Sequence, residues 1–353
     1  MVKIKSHPLY QEDMKYICEL PLPLEKLEGK RIFLSGATGL IGTLLVDSLM
    51  MRNRLKGSRV EIVGAGRSRE RMLARFGEYE NDPLFHFQCC DVNEKIEAEG
   101  RYDYVIHAAS NTHPRQYAED PVGTIMTNIE GTKNILDLAE KTNACRTVFL
   151  SSVEVYGENR GDTEYFDEDY CGYIDCNTLR AGYPEGKRAG EALCQAYRKA
   201  HGMDIVIPRL SRTYGPTMSD GDSKAIAQFL KKGIAGEDII LKSEGTQLYS
   251  YSYAADAVAG ILYIMLLGED GEAYNISDEK SDITLRELAS MIAQAAGTQV
   301  VFDLPDETEK AGYSKATKAL LSNKKLSALG WEAGYSMMEG VGRTMEICRD
   351  GKA

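Results

Sequence analysis

Apolar residues in the first two thirds of the chain come in short, mostly unbroken runs, and helical periods separate most of them. The runs are Arg31–Leu34, Val60–Val63, Leu84–Gln88, Tyr104–His107, Thr147–Leu150 and Asp204–Ile207, bounded for the most part by Gly, Asp or Ser. Apolar runs without alternation are the mark of strands buried on both faces. Stretches between them, such as Leu40–Met51, Pro121–Lys141 and Pro184–His201, repeat at helical spacing. Buried strands alternating with helices predict a doubly wound α/β domain of the Rossmann type, whose ligand lies at the carboxyl ends of a parallel sheet. After Pro208 the rhythm becomes irregular, with helices expected at Lys224–Gly233, Leu285–Ala296 and Lys324–Leu329. That part reads as a smaller C-terminal lobe. Residues 1–29 are polar and end in the helix-breaking Pro21-Leu22-Pro23. The expected division is an N-terminal extension over 1–29, a dinucleotide-binding Rossmann domain over 30–208 and a substrate-binding lobe over 209–353. Segments near 245–277 are expected to return to the Rossmann domain.

Charge narrows the partners. Against 42 Lys and Arg stand 53 Asp and Glu, a net charge of −11. Such a balance argues against non-specific nucleic-acid binding and leaves a small-molecule ligand as the expected partner. The longest weakly interrupted apolar run, Ala257–Leu267, is too short for a bilayer span, and Glu12 and Asp13 interrupt any secretory leader. The chain has eight cysteines without a C-x-x-C pair and five histidines without ligand spacing. The expectation is a cytoplasmic protein with neither metal nor disulfide framework.

Candidate chemistry begins directly after the first strand. Ser35-Gly36-Ala37-Thr38-Gly39-Leu40-Ile41-Gly42 opens a helical period. Glycines there allow a tight turn, bring backbone N–H groups to a pyrophosphate and let the helix pack closely on the strand. The placement between strand and helix points to a bound dinucleotide.

The spelling Gly-Ala-Thr-Gly-Leu-Ile-Gly resembles the extended short-chain dehydrogenase/reductase family, the NAD-dependent epimerases and dehydratases. The resemblance runs from about Arg31 to the Trp331 region. It implies that Asp91 and Val92 lie at the adenine and that Ala108, Ala109 and Ser110 form the loop under the cofactor. Leu150–Gly157 looks like the family's catalytic strand, and Tyr183-Pro184-Glu185-Gly186-Lys187 like its Y-x-x-x-K pair. Arg212-Thr213-Tyr214-Gly215-Pro216, Tyr253 and Asp256 are similar to later landmarks. Through Glu168-Asp169-Tyr170 and Glu185-Gly186-Lys187-Arg188 the chain looks closest to nucleotide-sugar decarboxylases of the UDP-glucuronate type. A homodimer through two helices of the sheet domain is a further implication.

Tyr183 and Lys187 stand four apart, on one helical face. A phenol is a weak base near neutrality, and a neighbouring ammonium would lower its pKa. Tyr183 would then take the proton of a sugar hydroxyl, Ser152 would hydrogen-bond the same oxygen, and Lys187 would also hold the nicotinamide ribose, as the resemblance implies. Ser152 and Glu154 are expected to alternate on an extended strand and to point to one side. A carboxylate there could move a proton or hold a reacting group. Relatives that dehydrate place an Asp just before this Glu; Val153 stands there, which counts against dehydration.

Two positions depart from the family pattern. Tyr249 replaces an Arg that helps bind substrate in many nucleotide-sugar members, and Arg212 replaces the usual Asn. Either a charge has moved across the pocket or the substrate head differs. Arg115 is a further candidate cation, or a solvent-facing side chain. The second strand ends in Gly64-Ala65-Gly66-Arg67-Ser68-Arg69, with no acid for a ribose hydroxyl. Arg67 suits a 2′-phosphate, so the cofactor reads as NAD(P) with a tilt to NADP, whereas the decarboxylase resemblance implies NAD. The activity expected is oxidation of a nucleotide-linked sugar to a 4-keto intermediate, resolved by epimerisation or decarboxylation. The alternatives are an NADPH-dependent reductase of a nucleotide-linked keto sugar and, more remotely, an idle dinucleotide-binding protein.

Overall fold

The computed structural model describes residues 2–112, 117, 119–303 and 317–352. Eight strands build the main sheet: β1 (Arg31–Ser35), β2 (Glu61–Gly66), β3 (Phe85–Cys89), β4 (Tyr104–His107), β5 (Arg146–Phe149), β6 (Ser151–Ser152), β7 (Ile205–Leu210) and, later in the chain, β11 (Ala273–Ile276). All neighbours are parallel, in the order β11-β7-β5-β4-β1-β2-β3, with β6 beside β7. This is the doubly wound Rossmann arrangement. The chain must return from β3 across β1 to reach β4, so strand order reverses between β1 and β4 and leaves a crevice at their carboxyl ends.

The unbroken apolar runs have a direct cause. Ile32 and Leu34 of β1 join one buried cluster with Ile62, Ile106 and Val148, while Phe33 joins another with Val63, Val105 and Ile135. Successive side chains point to opposite faces, and helices cover both. The helix Leu40–Lys56 lies on the first face through Leu44, Leu45 and Leu49, and Pro121–Lys141 lies on the second through Ile135, Leu138 and Ala139.

The lobe holds β8 (Arg212–Tyr214), β9 (Ile239–Leu241), β10 (Leu248–Tyr253), β12 (Asp282–Thr284), β13 (Val300–Phe302) and β14 (Lys318–Ala319). β10 is flanked by β8 in parallel, by β12 in antiparallel and by β14 in parallel fashion. Segment 245–277 thus supplies β10 to the small sheet, the buried helix Ala254–Leu267, and β11 to the main sheet.

The polar first 29 residues carry a helix that composition concealed. Over Pro8–Cys18 it places proline in the first turn and buries Tyr10, Met14 and Ile17 at spacings of four and three. The helix packs on Leu40–Lys56 and Ala254–Leu267. Its buried Asp13 accepts from Tyr253 Oη at 2.5 Å and from Arg343 Nε at 3.0 Å. Tyr16 Oη donates to Asp256 Oδ1 at 3.1 Å.

Candidate active site

The turn after β1 fits a diphosphate. Gly36 has a φ of +70°, and a Cβ there would lie 2.8 Å from backbone atoms of Ala108 and Ala109. Only glycine lets the turn lie so close to the loop after β4. Gly39 sits at the N-cap of Leu40–Lys56, no described side chain caps that helix, and its first turn holds no acid. The first-turn N–H groups, with their partial positive charge, are therefore left for the oxygens of an anionic ligand. Gly36, Thr38, Gly39, Leu40, Ile41, Gly42, Arg67, Asp91, Val92, Ala108, Ala109 and Ser110 all fall at or just beyond the carboxyl ends of β1–β4.

A buried histidine organises the loop after β4. Ser35 Oγ accepts from the N–H groups of Ala108 and Ala109 at 3.1 and 3.2 Å and lies 2.8 Å from His107 Nδ1. With two bonds accepted, the hydroxyl proton goes to Nδ1 and the ring proton sits on Nε2. Burial, with Lys187 nearby, holds His107 neutral, its pKa lowered to about 3. Ser110 Oγ donates to Asn128 Oδ1 at 2.8 Å. At the far end, exposed Arg67 lies 4.0 Å from Asp91.

The other half of the site comes from the helix Gly182–His201. It packs so closely on the sheet that a Cβ on Gly190 would approach Phe149 Cζ to 2.5 Å. That closeness delivers Lys187, 3% exposed, to the end of β5, where Nζ donates to the Leu150 carbonyl at 2.8 Å. Burial lowers the ammonium pKa to about 8, with Glu191 and Cys194 opposing. Tyr183, one turn earlier and also buried, has the Ser152 hydroxyl as a polar neighbour. Burial pushes its phenol up, the Ser152 hydroxyl pulls it down, and the Glu154 charge raises it again.

Glu154 does not stand on an extended strand as expected. β6 ends at Ser152, and Val153–Tyr156 forms a 3-10 turn capped by Ser152 Oγ, which accepts from the Glu154 N–H at 3.3 Å. The serine hydroxyl stops the strand, and the turn still carries the carboxylate into the pocket. Its two oxygens lie 3.9 Å from Arg180 Nη2 and 3.8 Å from Arg212 Nη2. The Arg212 guanidinium lies 3.6 Å from the centre of the Tyr249 ring. Ser152, Glu154, Tyr183, Lys187, Arg212 and Tyr249 are thus gathered at one end of the crevice, while Arg115 lies outside the described residues.

Two members escaped sequence reasoning. Tyr117 stacks on Tyr183, with ring centroids 5.1 Å apart and planes at 18°. It comes from the short segment before Pro121, where no periodicity marked it. Arg180 stands three residues before Tyr183, and that nearness was its only signal.

A sequence profile of the NAD dependent epimerase/dehydratase family matches residues 32–277. The chain belongs to that family. Its members are enzymes of the extended short-chain dehydrogenase/reductase type. UDP-glucuronic acid decarboxylase 3 of Arabidopsis thaliana is 32% identical over 311 residues, covering 88% of this chain and 86% of that protein. UDP-glucuronic acid decarboxylase 1 of Xenopus tropicalis is 29% identical, covering 92% and 74%. Among solved structures, a UDP-glucose 4-epimerase of Thermotoga maritima with UDP-glucose superposes with a TM-score of 0.78 at 22% identity, covering 92% of this chain and all of that one. A dTDP-glucose 4,6-dehydratase of Streptomyces venezuelae with NAD bound gives 0.77 at 23% identity, covering 91% and 98%. These structural likenesses carry the family's fold to this chain. No helix among the described residues is long and apolar enough to cross a membrane.

Proposed function

We propose that this family member oxidises a nucleotide-linked sugar at one ring hydroxyl, rearranges the resulting keto sugar by decarboxylation or epimerisation, and reduces it again. The observation that carries the reading is the placing of Tyr183 and Lys187 on one buried helical face at the end of β5, where Lys187 Nζ donates to the Leu150 carbonyl at 2.8 Å, with Ser152 and the Glu154 carboxylate beside them. A nicotinamide dinucleotide, held by the Gly36–Gly42 turn, the Ala108–Ser110 loop and Lys187, would supply the acceptor and later the donor of hydride. Tyr183 takes the hydroxyl proton in the oxidation and returns a proton in the reduction, and Ser152 holds the oxygen to which it moves. Burial and the Glu154 charge both raise the phenol's pKa, so proton removal would need the Lys187 ammonium and the positive charge of an oxidised nicotinamide to lower it. Glu154 faces the group that is lost or inverted.

The similarity to UDP-glucuronic acid decarboxylases and the NAD in the neighbouring structures support this reading. The test is incubation with UDP-glucuronic acid: product should form without net change in absorbance at the reduced-nicotinamide band, and Tyr183→Phe should abolish it. A second reading, an NADPH-dependent keto-sugar reductase, is favoured by exposed Arg67 at the end of β2, and demands one NADPH per product. We place it in a reducing compartment such as the cytoplasm, on its eight scattered cysteines without a C-x-x-C pair. Exposed Val122, Ile125 and Met126 on the helix Pro121–Lys141, beside Gly182–His201, support a homodimer through these helices. Light scattering of the Ile125→Glu variant tests it.

A further inference from the structure

Glu154, Arg180, Arg212 and Tyr249 make a wall with one more positive than negative charge. Neither guanidinium closes a short hydrogen bond on Glu154; both stand near 4 Å, one at each oxygen. Arg212 Nη1 is buried with no hydrogen-bond partner among the described residues. An unpaired buried donor is costly, and a guanidinium that keeps one invites an acceptor from a ligand. The ring of Tyr249 fixes the plane of that guanidinium, which limits the directions from which an acceptor can arrive. Register produces the stack: Arg212 of β8 pairs with Tyr251 of β10, so Tyr249 lies on the same face one step along.

The wall is near the reacting oxygen, because Glu154 follows Ser152 by two residues and its N–H donates to Ser152 Oγ at 3.3 Å. A nucleotide's diphosphate lies a sugar ring away from that point. We infer that Arg212, carried on the face of Tyr249, is the residue that reads a carboxylate on the sugar itself. Glu154 is then its counter-ion and positioning partner. This rests on the proposed sugar oxidation, and it adds the residue that selects a sugar acid over a neutral sugar.

Calorimetric titration with UDP-glucuronic acid and UDP-glucose tests it in the Tyr183→Phe background, which leaves the probes intact. The sugar acid should bind at least about tenfold tighter, the scale of one charge-assisted bond. Arg212→Met should bring the ratio close to one. If that variant fails to fold, Arg212→Lys keeps the charge without the stacked plane and should lower the ratio at least about threefold. Equal binding of the two probes in the parent, or an unchanged ratio in the variant that folds, overturns the inference while the oxidation chemistry stands. Binding of neither probe overturns both.

Discussion

Replacing Gly36 by alanine separates two demands that the first turn places on its backbone. At φ +70° an L-residue pays the left-handed penalty of about 1 kcal/mol, and Gly57, at φ +67° with nothing within 4 Å of a Cβ, would pay the same penalty alone. At Gly36 the added methyl also meets Ala108 and Ala109 backbone at 2.8 Å, contacts that no side-chain rotation relieves. Overpacking of this kind costs about 1–3 kcal/mol. Gly57→Ala should therefore lose about 1 kcal/mol and Gly36→Ala about 2–4 kcal/mol. Thermal unfolding followed by circular dichroism reads the gap, at about 2–4 °C per kcal/mol in chains of 150–250 residues and less in a longer one. Backbone relief would also part the turn from the Ala108–Ala109 loop, so calorimetric titration with NAD and NADP should show at least about tenfold weaker binding for Gly36→Ala. Gly57→Ala should bind both normally. A Gly36→Ala protein as stable as Gly57→Ala, with unchanged dinucleotide affinity, refutes the close-approach argument.

Tyr183→Phe should keep dinucleotide affinity and lose at least about 10²-fold in turnover, read by product formation; near-normal turnover removes the acid–base assignment. Arg67→Asp should shift affinity from NADP towards NAD, and an unchanged ratio in paired titrations means that Arg67 serves only solvent. His107 has a folded pKa of about 3 against an ordinary value of 6.5, so between those values the unfolded chain binds more protons. Stability should therefore fall as pH drops from 6.5 towards 3, and in His107→Gln this part of the slope should vanish; urea midpoints across that range decide it.

What could be read from the residues depended on how local the cause was. Strands buried on both faces cannot alternate, so β1, β4 and β5 stood out as unbroken runs, and the Gly36–Gly42 turn was visible because its cause lies within seven residues. Tyr183 and Lys187 were legible for the same reason, being one helical turn apart. The helix Pro8–Cys18 was harder, since its buried apolar side is Tyr10, Met14, Ile17 and Cys18, interleaved with acids and lysines. One of those acids, Asp13, is itself buried against Tyr253 and Arg343. Glu154 was misplaced for a different reason. Alternation assumes that the strand continues, and nothing in Ser152-Val153-Glu154 announces that the Ser152 hydroxyl will turn back and cap the next N–H.

The two departures at positions 212 and 249 mark the limit of such reading. Taken one at a time, an Arg where Asn is usual and a Tyr where Arg is usual leave two explanations of equal standing. Their relation depends on the pairing of β8 with β10, which brings together residues distant in sequence and cannot be deduced from either strand. Once Tyr251 is opposite Arg212, the guanidinium lies on the ring of Tyr249 and stands 3.8 Å from the carboxylate of Glu154. The pocket wall therefore keeps a cation, rooted on a neighbouring strand. A cation approaching from β8 presents its donors in another direction than one rooted at position 249. On the proposed reading, Arg212→Lys keeps the charge and loses the stacked plane, so it should lower the preference for a sugar acid, as Arg212→Met does. An undiminished preference in Arg212→Lys would leave charge alone as the determinant.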